Sequence, residues 1–199
     1  MTVSRSNPRV PSTEVDAAFP DRWSPRSFSS EPLPEGTLAT LLEAARWSPS
    51  CFNEQPWRFL WAEQPEDRAR FVSLLSPKNR VWAERAPLML FLVARRSFTE
   101  SGAENRWACF DVGAAWMALA LQARKLGLHA HAMAGFSRER AQAELGVPEG
   151  LYDVVAAIAV GRRADPLLLP EDQAARETPG PRRPAVELAF EGRWPAGAR

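Results

Sequence analysis

A mixed fold of helices and strands, α/β or α+β, follows from three observations. Short runs of bulky apolar residues, "WRFLWA" at 57–62, "PLMLFLVA" at 87–94 and "YDVVAAIAVG" at 152–161, are set off by prolines, charges or glycine, as buried strands are. Segments with helical spacing lie between them, and the two kinds alternate along the chain. At 199 residues, 45% of them hydrophobic, the sequence suits one domain with extensions and a substantial core.

Taken in order, residues 1–12 carry no periodicity and read as a frayed or loosely docked tail. The division expected is a tail over 1–18, a core over 19–163 and a C-terminal arm over 164–199. "PEGTLATLLEAARW" (34–47) places Leu38, Leu41, Leu42 and Ala45 on one helical face, with Pro34 suited to the first turn. After the strand at 57–62, Pro65 to Leu75 is a predicted helix and "KNRVWAER" a further turn or two. The segment Glu104 to Leu126 spreads Trp107, Phe110, Val112, Trp116, Met117, Leu119, Leu121 and Leu126 around most of the helical wheel, so it is expected to be a helix covered on every side. A short strand near "HAHAMAG" and a helix from about Ser137 to Leu145 precede the strand at 152–161. Residues 164–184 then bring five prolines and no period, which argues against a place inside a compact domain. An arm ending in the apolar patch "VELAF" is expected to grip a second copy of the chain.

Composition narrows the partners. With 25 basic residues against 24 acidic ones, the electrostatic footprint of nonspecific nucleic-acid or acidic-membrane binding is missing, and small molecules are the expected partners. Cys51 and Cys109 fit neither a zinc spacing nor a CxxC pair and read as free thiols. The start of the sequence shows no signal-peptide pattern, and the run Leu88 to Ala94 is too short to span a bilayer, so a cytoplasmic protein with no membrane partner is expected.

Three polar clusters exceed what connection requires. In "DRWSPRSF", Arg22, Ser24 and Arg26 alternate, so an extended backbone projects all three to one side, and forked guanidiniums suit a phosphate. The plain alternative is a solvated turn. In "SPSCFNEQPWRF", residues 48–59, Ser50, Asn53 and Gln55 crowd a loop that could serve only to end a helix and start a strand. In "PGPRRP", Arg182 and Arg183 either face water or complete the anion site from the arm. His129 and His131 alternate without a third metal ligand, so no metal site is expected. The sequence has no GxGxxG after a strand, no GxxxxGK[ST] and no GxSxG, and no pair of carboxylates stands out as an acid/base couple. No side chain is therefore assigned as catalytic, and any catalysis would borrow a cofactor.

The segments "RWSPRSF", "AARWSPSCFNEQPWRF", "DVGAAWMALALQARKLGL", "MAGF" and "RRPAVELAFEGRW", spread in that order over about residues 19–194, resemble the FMN-dependent nitroreductase family. The resemblance implies an α+β sandwich with a mainly antiparallel sheet flanked by helices. It also implies a homodimer formed through helix 104–126 and exchanged C-terminal arms, with FMN at the interface. Arg22, Trp23, Ser24 and Arg26 would meet the phosphate, the ribityl chain and one edge of the ring system, Trp23 standing where relatives commonly carry a basic or histidine residue. Arg182 or Arg183 would add a phosphate contact. Ser50, Cys51 and Asn53 would lie beside the isoalloxazine of the partner subunit, and Asn79 would contact the flavin. Met133, Ala134 and Gly135 would bring backbone near N5, where a glycine lets the chain sit close to a planar ligand. The implied reaction is ping-pong: NADH or NADPH gives hydride to the flavin, and a nitroaromatic, quinone or activated alkene then takes two electrons. A narrower flavin reaction, such as reductive dehalogenation, and a non-catalytic flavin-binding protein are the alternatives. The sequence shows no insertion long enough for a dedicated substrate lid, which places the specialised relatives second.

Overall fold

A computed structural model describes residues 7–195. Four strands, β1 (Trp57–Ala62), β2 (Leu88–Arg95), β3 (His129–Met133) and β4 (Tyr152–Gly161), form one sheet in the order β1-β2-β4-β3. Every neighbouring pair is antiparallel, as expected for the α+β reading. Seven α-helices accompany the sheet among the described residues: α1 (Ala18–Asp21), α2 (Thr37–Arg46), α3 (Pro65–Ser73), α4 (Pro77–Ala83), α5 (Ala108–Lys125), α6 (Arg138–Glu144) and α7 (Glu171–Ala174).

Strand alternation divides the core in two. Central β2 turns Met89, Phe91 and Val93 to one face, where Phe28, Phe71 and Trp82 close over them. Its Leu88, Leu90, Leu92 and Ala94 meet α2 and α5 on the other face. Burying one such large side chain contributes roughly 1.5–3 kcal/mol, so the two-sided strand is the main stabilising element. Among the edges, β1 opens at Trp57 opposite Ala94, whereas β3 opens at His129 opposite Gly161. Strand ends and sheet edges thus set the segments before β1 and beside β3 far apart.

Several expectations shift. α2 begins at Thr37, not in the turn at Pro34, because Gly36 takes the left-handed conformation (φ 77°) that ends the preceding turn. α5 begins at Ala108, since Glu104 pairs with Ser97 and the Asn105 side chain accepts from the Trp107 N–H. α5 buries Ala108, Val112, Ala115, Leu119, Ala120 and Ala123, yet leaves Phe110 75% exposed. Its own chain therefore does not cover it on every side. Residues 7–12 are not loose, because Arg9 is hydrogen-bonded to three backbone carbonyls, while residues 1–6 of the expected tail lie outside the described residues. The first half of the expected arm also docks on its own core: Pro166–Leu168 and α7 are short helical turns, and Leu169 and Glu177 are buried. Only beyond Thr178 does the segment run exposed, with Val186, Leu188, Phe190 and Trp194 on the surface.

Candidate functional site

The arginine strand starts from alternation. Trp23, Pro25 and Ser27 point inward and are buried, so Arg22, Ser24 and Arg26 share the outward side. What fixes this phase is a set of backbone bonds. The buried carboxylate of Glu177 accepts from the N–H groups of Arg26 (2.6 Å) and Ser27 (2.8 Å). The Ser27 hydroxyl donates to the Asp165 carbonyl, and Phe28 pairs with Arg163 beyond β4. From β3, His131 Nδ1 lies 2.8 Å from the Pro25 carbonyl, which can only accept, so the ring carries its proton there. Burial, opposed in part by that bond and reinforced by the charges of Arg26 and Arg22, pushes the His131 pKa down to about 4. His129 falls to about 3, chiefly by burial and then by Arg124, Arg163 and Arg22. Both rings are neutral at physiological pH. They pack under the strand as aromatic supports, His131 against Trp82 and His129 against the edge of Trp23.

The outward side is basic and uncompensated. Among the described residues, Arg22, Arg26 and Arg182 form no ion pair, and the Ser24 hydroxyl has no partner. Burial and then the nearby Arg182 charge lower the pKa of Arg22, and Arg182 likewise bears on Arg9. Of the pair expected from the arm, Arg182 is the member whose charge reaches the strand. Half-buried Arg22 and Arg26 with the exposed Arg182, none of them ion-paired to a carboxylate among the described residues, make the donor set of an anion site, since arginine stays charged under these conditions.

The same sheet edge carries the second group of predicted residues. Asn79 donates through Nδ2 to the Gly135 carbonyl at 3.0 Å, and the Ser76 N–H reaches the same oxygen at 2.9 Å. A Cβ on Gly135 would lie 2.6 Å from Asn79 Nδ2 and 2.9 Å from Ser76 Oγ. Within the chain, then, a larger residue at 135 would displace the Asn79 and Ser76 side chains, a constraint that adds to the ligand approach inferred from sequence. Met133 is buried, whereas Ala134 is exposed just beyond the strand end.

The loop holding Ser50, Cys51 and Asn53 is not brought to these residues. It precedes β1, on the opposite edge of the sheet. Here Phe52, Asn53 and Gln55 all adopt positive φ (52°, 56° and 50°), an arrangement rare for residues with side chains. The Asp111 carboxylate on α5 accepts from the Cys51 N–H at 3.1 Å, Ser50 Oγ accepts from the Gln55 N–H, and Glu54 binds Thr99. Phe52 is 90% exposed at the tip.

This fold and arrangement have known counterparts. The model of the nitroreductase family matches residues 20–81 and 69–162, which together exceed half of the chain. The chain belongs to the nitroreductase family. Its relatives include a provisionally named NADH dehydrogenase/NAD(P)H nitroreductase of Streptomyces coelicolor, 34% identical over 100 residues, which are 50% of this chain and 50% of that protein. The match thus spans half the length of that relative. An NADH dehydrogenase of Thermus thermophilus is 28% identical over 187 residues, covering 78% of this chain and 90% of its own. Among solved structures, an oxidoreductase containing FMN superposes with a TM-score of 0.91 at 43% identity, over 98% of this chain and 99% of that one. An FMN-dependent nitroreductase from Clostridium difficile shares the fold at a TM-score of 0.62 and 22% identity, over 72% of this chain and 84% of its own.

Within this nitroreductase-family chain, four residues of the site escape the sequence reading: Arg9, Asp111, His131 as a strand support, and Glu177. Each makes at least one bond to backbone far away in sequence, with separations of 60 to 171 residues, although Arg9 also reaches Pro20 and Arg22, 11 and 13 residues on. No local spacing announces such a bond. A weak signal existed for Asp111 alone, an acidic residue in the first turn of an otherwise apolar helix.

Proposed function

We propose that the protein is an FMN-dependent oxidoreductase that uses NADH or NADPH and reduces electron-poor small molecules, working as a cytoplasmic homodimer. The observation that carries this reading is the outward row Arg22, Ser24, Arg26, with Arg182 beside it and none of the guanidiniums ion-paired among the described residues, at the sheet edge that also presents Asn79 and residues 133–135. A terminal phosphate monoester fits that donor set, because two or more forked cations can share its oxygens. Arg22, Arg26 and Arg182 would hold the phosphate, Ser24 the adjoining hydroxyls, and the backbone at Met133, Ala134 and Gly135, with Asn79, would border the ring. Trp23 is buried under the strand and would support these contacts from below, not make them. FMN, when bound, supplies two-electron hydride chemistry, oxidising NADH or NADPH in one half-reaction and reducing a nitroaromatic, quinone or activated alkene in the other.

The chain's own part is binding, orientation and exclusion of water. The dimer reading draws support from exposed apolar surface: Phe110 and Trp107 at α5, and Val186 and Leu188 on the arm. Under it, Ser50, Cys51 and Asn53 would reach the flavin of the partner subunit, which accounts for their separation from Arg22 within one chain.

The test is an anaerobic titration of FMN-loaded protein with NADH and with NADPH, followed by nitroaromatic and quinone acceptors. Bleaching of the flavin absorbance and its recovery with acceptor are expected. Alongside it, R26A should weaken FMN binding on the order of 10- to 100-fold while leaving riboflavin, which lacks the phosphate, nearly unchanged. Protein that binds no FMN, or that binds it without accelerating its reduction, would overturn the enzymatic reading.

A further inference from the structure

We propose that Arg9 is a positioning residue that couples the arginine strand to the C-terminal arm, so that anion binding and docking of Arg182 favour each other. The inference rests on the phosphate-binding reading above and adds to it a residue from the N-terminal segment. Arg9 Nη1 donates to the carbonyls of Pro20 (3.1 Å) and Arg22 (2.8 Å), while its Nε donates to the carbonyl of Gly180 (2.8 Å). Arg182 Nη1 lies 3.3 Å from that same Gly180 oxygen and 2.9 Å from the Pro181 oxygen. One guanidinium therefore grips the backbone of the strand with one arm and the backbone of the C-terminal segment with the other. Asn7 sets its position, accepting from the Arg9 N–H at 3.1 Å and donating to the Pro20 carbonyl and to Asp21 at 3.0 Å.

Three guanidiniums, those of Arg9, Arg22 and Arg182, are thus gathered with no ion pair among the described residues. Asp21, the carboxylate next to the strand in sequence, is turned to Asn7. Like charges held together oppose docking of the arm, and the Gly180 carbonyl, shared by Arg9 and Arg182, offsets part of that repulsion by placing a negative dipole end between these two cations. A bound phosphate removes the remaining repulsion. By linkage, whatever favours arm docking through Arg9 favours the anion by the same factor.

The test uses full-length wild type, R9A, R182A and the double variant, each titrated with FMN and with riboflavin. R9A and R182A should each weaken FMN about tenfold, the loss of one charge-assisted bond, and leave riboflavin within about twofold. The double variant should lose much less than the roughly 100-fold product, because Arg9 acts through the placement of Arg182. A second readout is tryptic cleavage after Arg182 with and without inorganic phosphate. Phosphate should slow it several-fold in wild type and hardly at all in R9A. FMN binding by R9A equal to wild type, a fully multiplicative double variant, or equal phosphate protection in both proteins would overturn the proposal. A wild type that binds no FMN yet shows Arg9-dependent protection by phosphate would remove the flavin reading and leave the coupling standing.

Discussion

The arginine strand and the loop at 48–55 both gather polar groups, yet they are built on opposite terms. The strand is supported from within: Trp23, Pro25 and Ser27 are buried, and Glu177, His131 and Arg9 satisfy its backbone from three other segments. The loop has fewer anchors and costlier geometry, with three left-handed residues among four positions and an aromatic tip in solvent. Left-handed backbone outside glycine costs of order 1 kcal/mol or more per residue and persists only where the surroundings impose it. One region has its backbone satisfied from several segments of its own chain, and the other is pinned at Cys51, Glu54 and the Phe52–Phe98 ring contact while its left-handed tip stays exposed. The difference teaches where a second subunit would contribute.

Breaking the strand should cost most. The β3 histidines packed beneath it are neutral in the fold, with pKa values of about 3 for His129 and about 4 for His131, against 6.5 for the free group. Between pH 6.5 and those values the unfolded chain binds protons that the folded chain refuses. Stability is therefore intact above pH 6.5 and falls on acidification, by up to about 1.4 kcal/mol per pH unit for each ring. Urea unfolding at pH 7 and pH 5 should differ by about 4 kcal/mol from this source, and H129Q/H131N should flatten the slope. An unaltered slope in that variant would assign the acid sensitivity to other groups.

Next comes Glu177, whose removal strands the buried Ser27 N–H and the partly buried Arg26 N–H. E177A should lose about 3 kcal/mol and lower the melting temperature by roughly 6–12 °C, with E177Q, which retains an acceptor oxygen, losing about half as much. Calorimetry decides it, and a loss under 1 kcal/mol would mean that water reaches the strand. On the loop side, D111A frees the Cys51 N–H and should cost about 1–2 kcal/mol, with FMN bound more weakly and riboflavin affected to the same extent. Equal FMN and riboflavin losses here, against the selective FMN loss in R26A, would separate a ring-side region from a phosphate-side one. The smallest effect should have the opposite sign. F52G, relieving one left-handed residue, should stabilise the protein by up to about 1 kcal/mol while weakening flavin retention. Stabilisation with undiminished flavin binding would leave the loop's shape without a ligand-based reason.

How much of this was legible in the sequence depends on the range of the interactions. The strands at 57–62 and 152–161 coincide with the predicted bounds, because bulky apolar runs between breakers are a local signal. The outward row of Arg22, Ser24 and Arg26 was legible for the same reason, as parity along an extended chain. For the segment 164–178, assigned to an arm, the prolines hide the facts that Leu169 reaches the core and Glu177 reaches the strand. At Gly135 the structure adds a contact that the sequence hides, the bond from Asn79 on α4, 56 residues away. The start of α5 was placed too early because Trp107 continues its apolar pattern, while the Asn105 turn that delays the helix has no period of its own.

The alternation of the arginine strand also constrains how this stretch of gene can drift. Insertion or deletion of a single codon between positions 22 and 27 would invert every side chain beyond it, sending a guanidinium into the space now filled by Pro25 or Ser27 and an aromatic or apolar group into water. Substitutions at Ser24 leave the parity untouched. Length changes there should be tolerated, if at all, only in even steps, and a deep indel scan of the segment would show that two-residue periodicity directly.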